Sequence, residues 1–262
     1  MTRFTDRDGI SLAYDVAGSG APVLLIGGLS ADRIFWGLCR PFLADFTTLC
    51  FDNRDMTPSG SATGPYTVAD MARDALAVMD AAGIARAHVL GHSLGGAIAQ
   101  ELALMAPERV DRLILANTFA HQDGYTRELL WLLKRLRREM ADPVTFVSVL
   151  ATFTLGRATL AQVPLEAIAR GALAAGPFQD QDGFERQADA CAQVDLRGRI
   201  GAITAPTLVL YTKDDRFFAP PFAEGLAQTI PGARLGEIAG AGHCPMVEVP
   251  EAFAAAVRAF LA

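Results

Sequence analysis

The sequence predicts an α/β fold in which a mostly parallel sheet of about eight strands lies between layers of helices. Short apolar runs alternate with helical stretches along most of the 262 residues, and this alternation is typical of a parallel sheet. Hydrophobic residues make up 51% of the chain, which is enough to cover both faces of such a sheet. Residues 91–95, Gly-His-Ser-Leu-Gly, join one of these apolar runs to a helical stretch.

The strands are expected in chain order as one hairpin followed by single segments. Residues 4–16 predict an antiparallel hairpin that turns at Asp8-Gly9. The later strand candidates are residues 23–26, 47–51, 87–90, 112–115, 207–211 and 233–238.

The clearest helix is predicted over residues 68–82, where apolar residues recur at helical spacing. Thr67 and Asp70 have the spacing of a capping box, and Gly83 is placed to end the helix. A last helix is predicted over residues 250–261.

Residues 120–200 interrupt the alternation, because they contain no strand–helix pair that would extend the sheet. Residues 125–140 predict an amphipathic helix, and further apolar helices follow. We therefore expect a helical cap at 120–200, inserted into a core made of residues 1–119 and 201–262. Such a cap would exclude water and shape a largely apolar pocket.

The Gly-x-Ser-x-Gly turn predicts a nucleophile. A strand, this turn and a helix in that order form a nucleophile elbow, in which Gly91 and Gly95 allow a sharp turn. Ser93 would then project from the sheet at a helix N-terminus, where negative charge is favoured.

Two later segments supply partners for Ser93. The strand at 206–211 leads into Asp214 and Asp215, and the glycine-rich loop 240–245 carries His243. A serine hydroxyl needs a base to remove its proton, and a carboxylate must orient a histidine that acts as this base. The order Ser, Asp, His is the one expected of α/β-hydrolases.

From end to end the chain resembles α/β-hydrolase fold proteins, and residues 64–70, 91–96 and 106–118 resemble the 3-oxoadipate enol-lactonase-like and carboxylesterase branch. This resemblance implies a catalytic triad of Ser93, His243 and an aspartate. Aligning Pro220 with the family's proline selects Asp215, with Asp214 as the alternative. We expect Glu237 and Glu248 to be surface charges.

The resemblance also implies an oxyanion hole and reveals two departures from the family pattern. The backbone N–H groups of Leu94 and Leu29 would be the donors, although Gly27 stands where the family has histidine. Residues 51–60 lack both glycines of the family's Asp-x-Arg-Gly-x-Gly-x-Ser pattern. Either this loop is re-routed, or Asp55 or Met56 changes the pocket wall.

The substrate pocket has candidates from the core and from the expected cap. Aromatic side chains of the insertion either line the pocket or fill the interior of the cap. The pocket candidates are Gly28, Asp55, Met56, His92, Trp131, Phe146, Phe153 and Phe217, with Phe178 as a further aromatic possibility.

Composition restricts the classes of partner. The net charge of −6 gives no reason to expect binding to nucleic acid. The N-terminal residues have no apolar signal core, no stretch is suited to span a membrane, and the four cysteines lack metal-site spacing. We expect a cytoplasmic monomer or homodimer that uses neither a cofactor nor a metal and binds a substrate with a largely apolar part.

These observations predict a serine hydrolase that cleaves a small carboxylic ester or lactone through an acyl-enzyme on Ser93. Three alternatives remain open: hydrolysis of a carbon–carbon bond, a non-hydrolytic activity such as that of a lyase or cofactor-free oxygenase, and a receptor that binds a ligand with a retained triad.

Overall fold

The apolar runs of the sequence form a single sheet of eight strands in a computed structural model that describes residues 1–262. The order across the sheet is β1-β2-β4-β3-β5-β6-β7-β8. Strands β1 and β2 pair antiparallel, β2 pairs antiparallel with β4, and all other pairs are parallel, so the predicted fold class is confirmed. The strands are β1 (Arg3–Arg7), β2 (Ile10–Ala17), β3 (Pro22–Ile26), β4 (Thr47–Phe51), β5 (Ala87–His92), β6 (Val110–Ala116), β7 (Thr207–Tyr211) and β8 (Arg234–Glu237).

Ten α-helices accompany the sheet, together with short 3-10 helices at Arg33–Trp36, Arg40–Leu43, Pro107–Arg109 and Ile200–Ala202. The helices are α1 (Val68–Ala81), α2 (Leu94–Met105), α3 (Gly124–Glu139), α4 (Pro143–Thr154), α5 (Arg157–Leu160), α6 (Leu165–Ala175), α7 (Gln181–Ala192), α8 (Pro220–Thr229), α9 (Pro245–Glu248) and α10 (Pro250–Leu261).

Local sequence signals explain where α1 begins and ends. The Thr67 side chain accepts from the backbone N–H of Asp70, and the Asp70 carboxylate accepts from the N–H of Thr67 at 2.9 Å, which completes the predicted capping box. Beyond the helix, Gly83 has a φ of +71°, a conformation that glycine adopts without steric cost.

The alternation of side chains along the central strands builds one core on each face of the sheet. Leu24 of β3 and Val89 of β5 belong to the core that also contains residues of α1 and α2. Leu25 and Leu90, one position further along, belong to the opposite core, which contains residues of α10. The central strands are therefore apolar on both sides, as expected of a parallel sheet with two covered faces.

Five helices, α3 to α7, lie between β6 and β7 in the chain, and we call residues 124–192 the helical insertion. Leu129, Leu130 and Leu133 are buried on α3, which packs against α7 and α4, while α4 packs against α6. The insertion adds no strand to the sheet; its flanks meet at one isolated bridge between His121 and Asp195.

Candidate active site

Ser93 lies in a tight turn at the carboxyl end of β5, in the middle of the sheet. Its φ is +56°, and α2 begins at the next residue. A Cβ atom on Gly91 would lie 2.2 Å from the carbonyl oxygen of Gly95, and a Cβ atom on Gly95 would lie 2.1 Å from that of Ile26. Both positions therefore need glycine if the turn is to fit between β3 and α2.

Residues at the end of β6 hold this turn from the other side. The Ser93 N–H donates to the carbonyl oxygen of Ala116 at 3.1 Å, and the Thr118 hydroxyl donates to the carbonyl oxygen of Ser93 at 2.6 Å. A Cβ atom on Gly96 would lie 2.4 Å from the Thr118 hydroxyl oxygen, so a third glycine is required here. The backbone on both sides of the serine is thereby fixed.

Asp215 and His243 form a buried pair beside this turn. Their Oδ2 and Nδ1 atoms are 2.8 Å apart, and the Asp215 side chain has no exposed surface. Asp214, the alternative aspartate, is exposed to solvent. The structure therefore places Asp215, and not Asp214, against His243.

Four hydrogen-bond donors surround the buried Asp215 carboxylate. The Oδ1 atom accepts from the N–H groups of Phe217 at 2.8 Å and Phe218 at 3.1 Å, and Oδ2 accepts from the Asn117 side-chain amide at 2.8 Å as well as from His243. Burial opposes ionisation, but the His243 charge and these donors outweigh it and hold the pKa of Asp215 below its usual value. The carboxylate is thus kept charged inside the protein.

The loop that carries His243 is anchored to the helical insertion. The His243 N–H donates to the carbonyl oxygen of Thr154 at 2.7 Å. Glu248, which we expected to be a surface charge, accepts from the N–H groups of Gly242 at 2.8 Å and Gly156 at 2.7 Å. That expectation is wrong, because this carboxylate satisfies backbone donors of two segments and joins the His243 loop to the start of α5.

His92 supports His243 and stays neutral. Its Nε2 atom lies 2.8 Å from the His243 carbonyl oxygen, so this nitrogen is the one that carries the proton. Its ring stacks on Phe35 with centroids 5.3 Å apart and lies 4.7 Å from the His243 ring. Burial, and secondarily the charge of His243, lower the pKa of His92 to about 3. His92 is therefore suited to hold the loop rather than to act as a base.

A cavity of about 670 Å³ opens in front of Ser93 and His243. Its wall is mostly apolar and combines residues of the core with residues of α3, α4, α6 and α7. Of the predicted pocket residues, those that line it are Gly28, Met56, His92 and Phe217, together with Phe178.

Four predicted pocket residues lie elsewhere, and those predictions are wrong. Trp131 is 60% exposed on the outer face of α3. Phe146 is buried inside the insertion, edge-on to Phe184 with ring centroids 5.7 Å apart, and Phe153 packs beside Phe217 without reaching the cavity. Asp55 is fully buried in an ion pair with Arg186 of α7, with Oδ1 and Nη2 2.7 Å apart.

The expected oxyanion-hole residues come from two segments next to Ser93. Leu94 is the first residue of α2. Leu29 lies in a turn between β3 and the first 3-10 helix, and it lines the cavity. A Cβ atom on Gly28 would lie 2.9 Å from the Ser93 Cβ atom. This glycine lets the backbone before Leu29 approach the serine closely.

The loop that departs from the family pattern is ordered by buried polar contacts. Arg54 forms an ion pair with Asp74 of α1, with Nε and Oδ2 2.6 Å apart, and Asp52 pairs with Arg33. The partners of this loop could not be identified from local sequence patterns, because Asp74, Arg186 and two glutamines of the insertion are distant from it in the chain.

The remaining features of the chain concern possible metal ligands, the cysteines and the lengths of the helices. No group of three or more His, Cys, Asp or Glu side chains is arranged to hold a metal ion. The four cysteines are free and buried. None of the helices combines the length and the apolar character needed to cross a membrane.

The fold and this site place the chain in the alpha/beta hydrolase fold family, whose pattern matches residues 21–250; the chain belongs to that family. A protein of Azorhizobium caulinodans named "Putative carbamate hydrolase RutD" is 32% identical over 246 residues, covering 92% of this chain and 91% of that protein. Among solved structures, the enol-lactonase from Burkholderia xenovorans LB400 has a TM-score of 0.89 at 27% identity, covering 99% of both chains. A thermophilic esterase from Thermogutta terrifontis has a TM-score of 0.86 at 30% identity, covering 100% of this chain and 98% of that one. Together these relatives support a hydrolase.

Proposed function

We propose that the protein is a serine hydrolase that cleaves an uncharged carboxylic ester or lactone through an acyl-enzyme on Ser93. The observation that carries this proposal is the buried Asp215–His243 pair, with 2.8 Å between Oδ2 and Nδ1, because its histidine lines the same cavity as Ser93. The strained serine turn supports it, because a turn of this kind projects the nucleophile away from the sheet and Ser93 lines the cavity.

Each residue has a defined role in this mechanism. Asp215 keeps the proton of His243 on Nδ1, so that Nε2 is free to take the proton of Ser93 as the serine attacks the carbonyl carbon. The N–H groups of Leu29 and Leu94 stabilise the oxyanion, each by roughly 2.7–4 kcal/mol. His243 returns the proton to the leaving alcohol, and water then repeats these steps on the acyl-enzyme.

The wall of the cavity favours an uncharged, largely apolar substrate. Asp32 is the one acidic residue among its lining residues, and no Lys or Arg lines it. An anionic lactone would therefore find no cation to balance its charge, whereas an apolar chain would contact Leu130, Leu133 and Leu150.

We also propose that residues 120–200, which contain the helical insertion, form a cap over a core of residues 1–119 and 201–262. Its helices supply much of the cavity wall, and its Thr154 binds the His243 loop. Such a cover would keep water from the reacting carbonyl except when the acyl-enzyme is hydrolysed.

A carbamate is the second candidate substrate. The similarity to a protein named as a carbamate hydrolase, at 32% identity over 92% of this chain, favours it. Attack of Ser93 on a carbamate carbonyl would use the same residues, so only turnover rates separate the two candidates.

Labelling with a fluorophosphonate, followed by intact mass, tests the proposal. We expect one adduct on the unchanged protein and none on Ser93→Ala, because the reagent needs an activated serine. His243→Ala should also remain unlabelled, since it removes the base. An unlabelled but folded wild-type protein would contradict the proposal and favour a receptor.

A panel of substrates then separates the chemical classes. We expect turnover of p-nitrophenyl butyrate and of a neutral lactone, with smaller values of kcat/KM for a p-nitrophenyl hemisuccinate and for an N-alkyl carbamate ester. Labelling without turnover of any ester, lactone or carbamate would instead indicate carbon–carbon bond hydrolysis or a non-hydrolytic reaction.

A further inference from the structure

The turn that carries Leu29 has a conformation that its sequence disfavours. The Gly28 carbonyl oxygen accepts from the N–H of Ala31 at 3.2 Å, so residues 28–31 form a four-residue turn. Ser30, the third residue of this turn, has a φ of +59°. Glycine or asparagine usually occupies such a position, since other residues are strained there. Something outside the turn must favour this conformation.

Two glutamines from the insertion side bind Ser30. The Oε1 atom of Gln187, on α7, accepts from the Ser30 N–H at 3.1 Å, and its Nε2 donates to the carbonyl oxygen of Arg54 at 2.7 Å. The Oε1 atom of Gln179 accepts from the Ser30 hydroxyl at 2.5 Å, and its Nε2 donates to the carbonyl oxygen of Asp55 at 3.1 Å. Each amide thus connects the turn to the loop that departs from the family pattern.

Both glutamines are buried, and each one uses its Oε1 atom as an acceptor and its Nε2 atom as a donor. Gln187 is 0% exposed and Gln179 is 3% exposed. Buried hydrogen bonds of this kind are directional, and an unpaired partner would be costly, so they specify one arrangement of the backbone. The Ser30 N–H belongs to the central peptide of the turn, whose direction decides the turn type.

We propose that Gln187 is a positioning residue for the oxyanion hole: it holds the 28–31 turn so that the Leu29 N–H points at the developing oxyanion. This inference rests on the proposed function. The carbonyl oxygen of Gly28 and the N–H of Leu29 share one peptide plane, so fixing the turn fixes the direction of the donor. The insertion therefore completes the catalytic site as well as covering it.

Exchange of Gln187 for leucine tests this role, because leucine is similar in size but cannot bind either backbone group. We expect kcat for p-nitrophenyl butyrate to fall about 10–100-fold, which at most equals the lower end of the loss seen when a whole oxyanion donor is removed. KM should change less than about threefold. Gln193→Leu is the matched control, since Gln193 is exposed at the end of the same helix, and it should keep the wild-type kcat.

Restoring the turn by another route separates positioning from simple packing. Glycine adopts a positive φ without strain, so Ser30→Gly in the Gln187→Leu background should recover about fivefold or more of the lost kcat. Ser30→Ala in the same background removes the same hydroxyl but keeps the strain, and it should recover nothing. Recovery with alanine as well as glycine, or with neither, would overturn the proposal.

The outcomes also distinguish this inference from the proposed function. Wild-type turnover that Ser93→Ala abolishes supports the function, and the Gln187 variants then decide the inference. A Gln187→Leu protein that is folded by circular dichroism and keeps kcat within twofold would overturn the inference alone. If leucine prevents folding, Gln187→Met, which has the same length and a flexible side chain, is measured with the same Ser30 pair.

Discussion

Replacing Asp215 by asparagine gives the sharpest prediction for the catalytic site. The exchange keeps the size of the side chain but turns one acceptor oxygen into a donor. The backbone N–H groups of Phe217 and Phe218 cannot reorient, so the amide oxygen should stay on their side. The amide nitrogen then faces His243 and donates a hydrogen bond to Nδ1, so Nδ1 must be unprotonated. With the proton moved to Nε2, His243 can no longer accept the proton of Ser93.

The expected size of this effect follows from the hydrogen bonds of the site. The wrong tautomer should reduce kcat by about 10⁴-fold, as for the same exchange in another Ser–His–Asp triad. At 1.36 kcal/mol for each factor of ten, this is about 5.4 kcal/mol of activation free energy. The Asn117 amide also loses its acceptor on Asp215, so the free energy of unfolding should fall by about 1–3 kcal/mol.

The assay measures kcat for p-nitrophenyl butyrate together with urea unfolding of each variant. Asp214→Asn is the matched control, because Asp214 is the exposed neighbour, and it should keep kcat within about threefold. An Asp215→Asn enzyme that retains more than a tenth of the wild-type kcat, or an Asp214→Asn enzyme that loses it, would refute the tautomer argument.

Three further changes test other parts of the structure. Arg186→Leu leaves the Asp55 carboxylate buried without its cation, so urea unfolding should show a loss of about 3 kcal/mol, and a loss below 1 kcal/mol would contradict the buried pair. The pKa of His92 is about 3 when folded and ordinarily about 6.5, so stability is retained above pH 6.5 and lost as the pH falls toward 3. Between pH 6.5 and 5 the free energy of unfolding should fall by up to about 1.4 kcal/mol per pH unit more steeply in the wild type than in His92→Asn, and equal slopes would show that His92 protonates freely. Asp32→Asn should raise kcat/KM for the anionic p-nitrophenyl hemisuccinate about fivefold relative to the butyrate, and an unchanged ratio would show that Asp32 does not act on the substrate.

The sequence predicted the sheet well because its signals are local. Residues 47–51 and 207–211 have the predicted strand limits, since apolar runs between turn residues determine them directly. The glycines around Ser93 were equally readable, because only a residue without a side chain fits so near another backbone. Local sequence patterns therefore predict the strands and sharp turns of this protein directly.

The pocket was harder to predict, for a physical reason. Periodicity shows that a helix has an apolar face, but it does not show whether a given side chain of that face meets a cavity, another helix or solvent. Trp131 and Phe146 are both aromatic residues of the insertion, yet one is exposed and the other fills its interior. The partner of Asp55 was unpredictable for a related reason, since Arg186 is 131 positions away in the chain.

The contacts among the 28–31 turn, the 51–60 loop and residues 179–192 of the helical insertion bear on how parts could be exchanged between relatives. A chimera that received a foreign helical insertion without counterparts of Gln179, Arg186 and Gln187 would leave the Ser30 N–H, the carbonyl oxygens of Arg54 and Asp55, and the Asp55 carboxylate without their partners. Its active site would be misassembled even if every residue of the triad were retained. The three segments should therefore be transplanted together, and we expect their residues to change together among relatives.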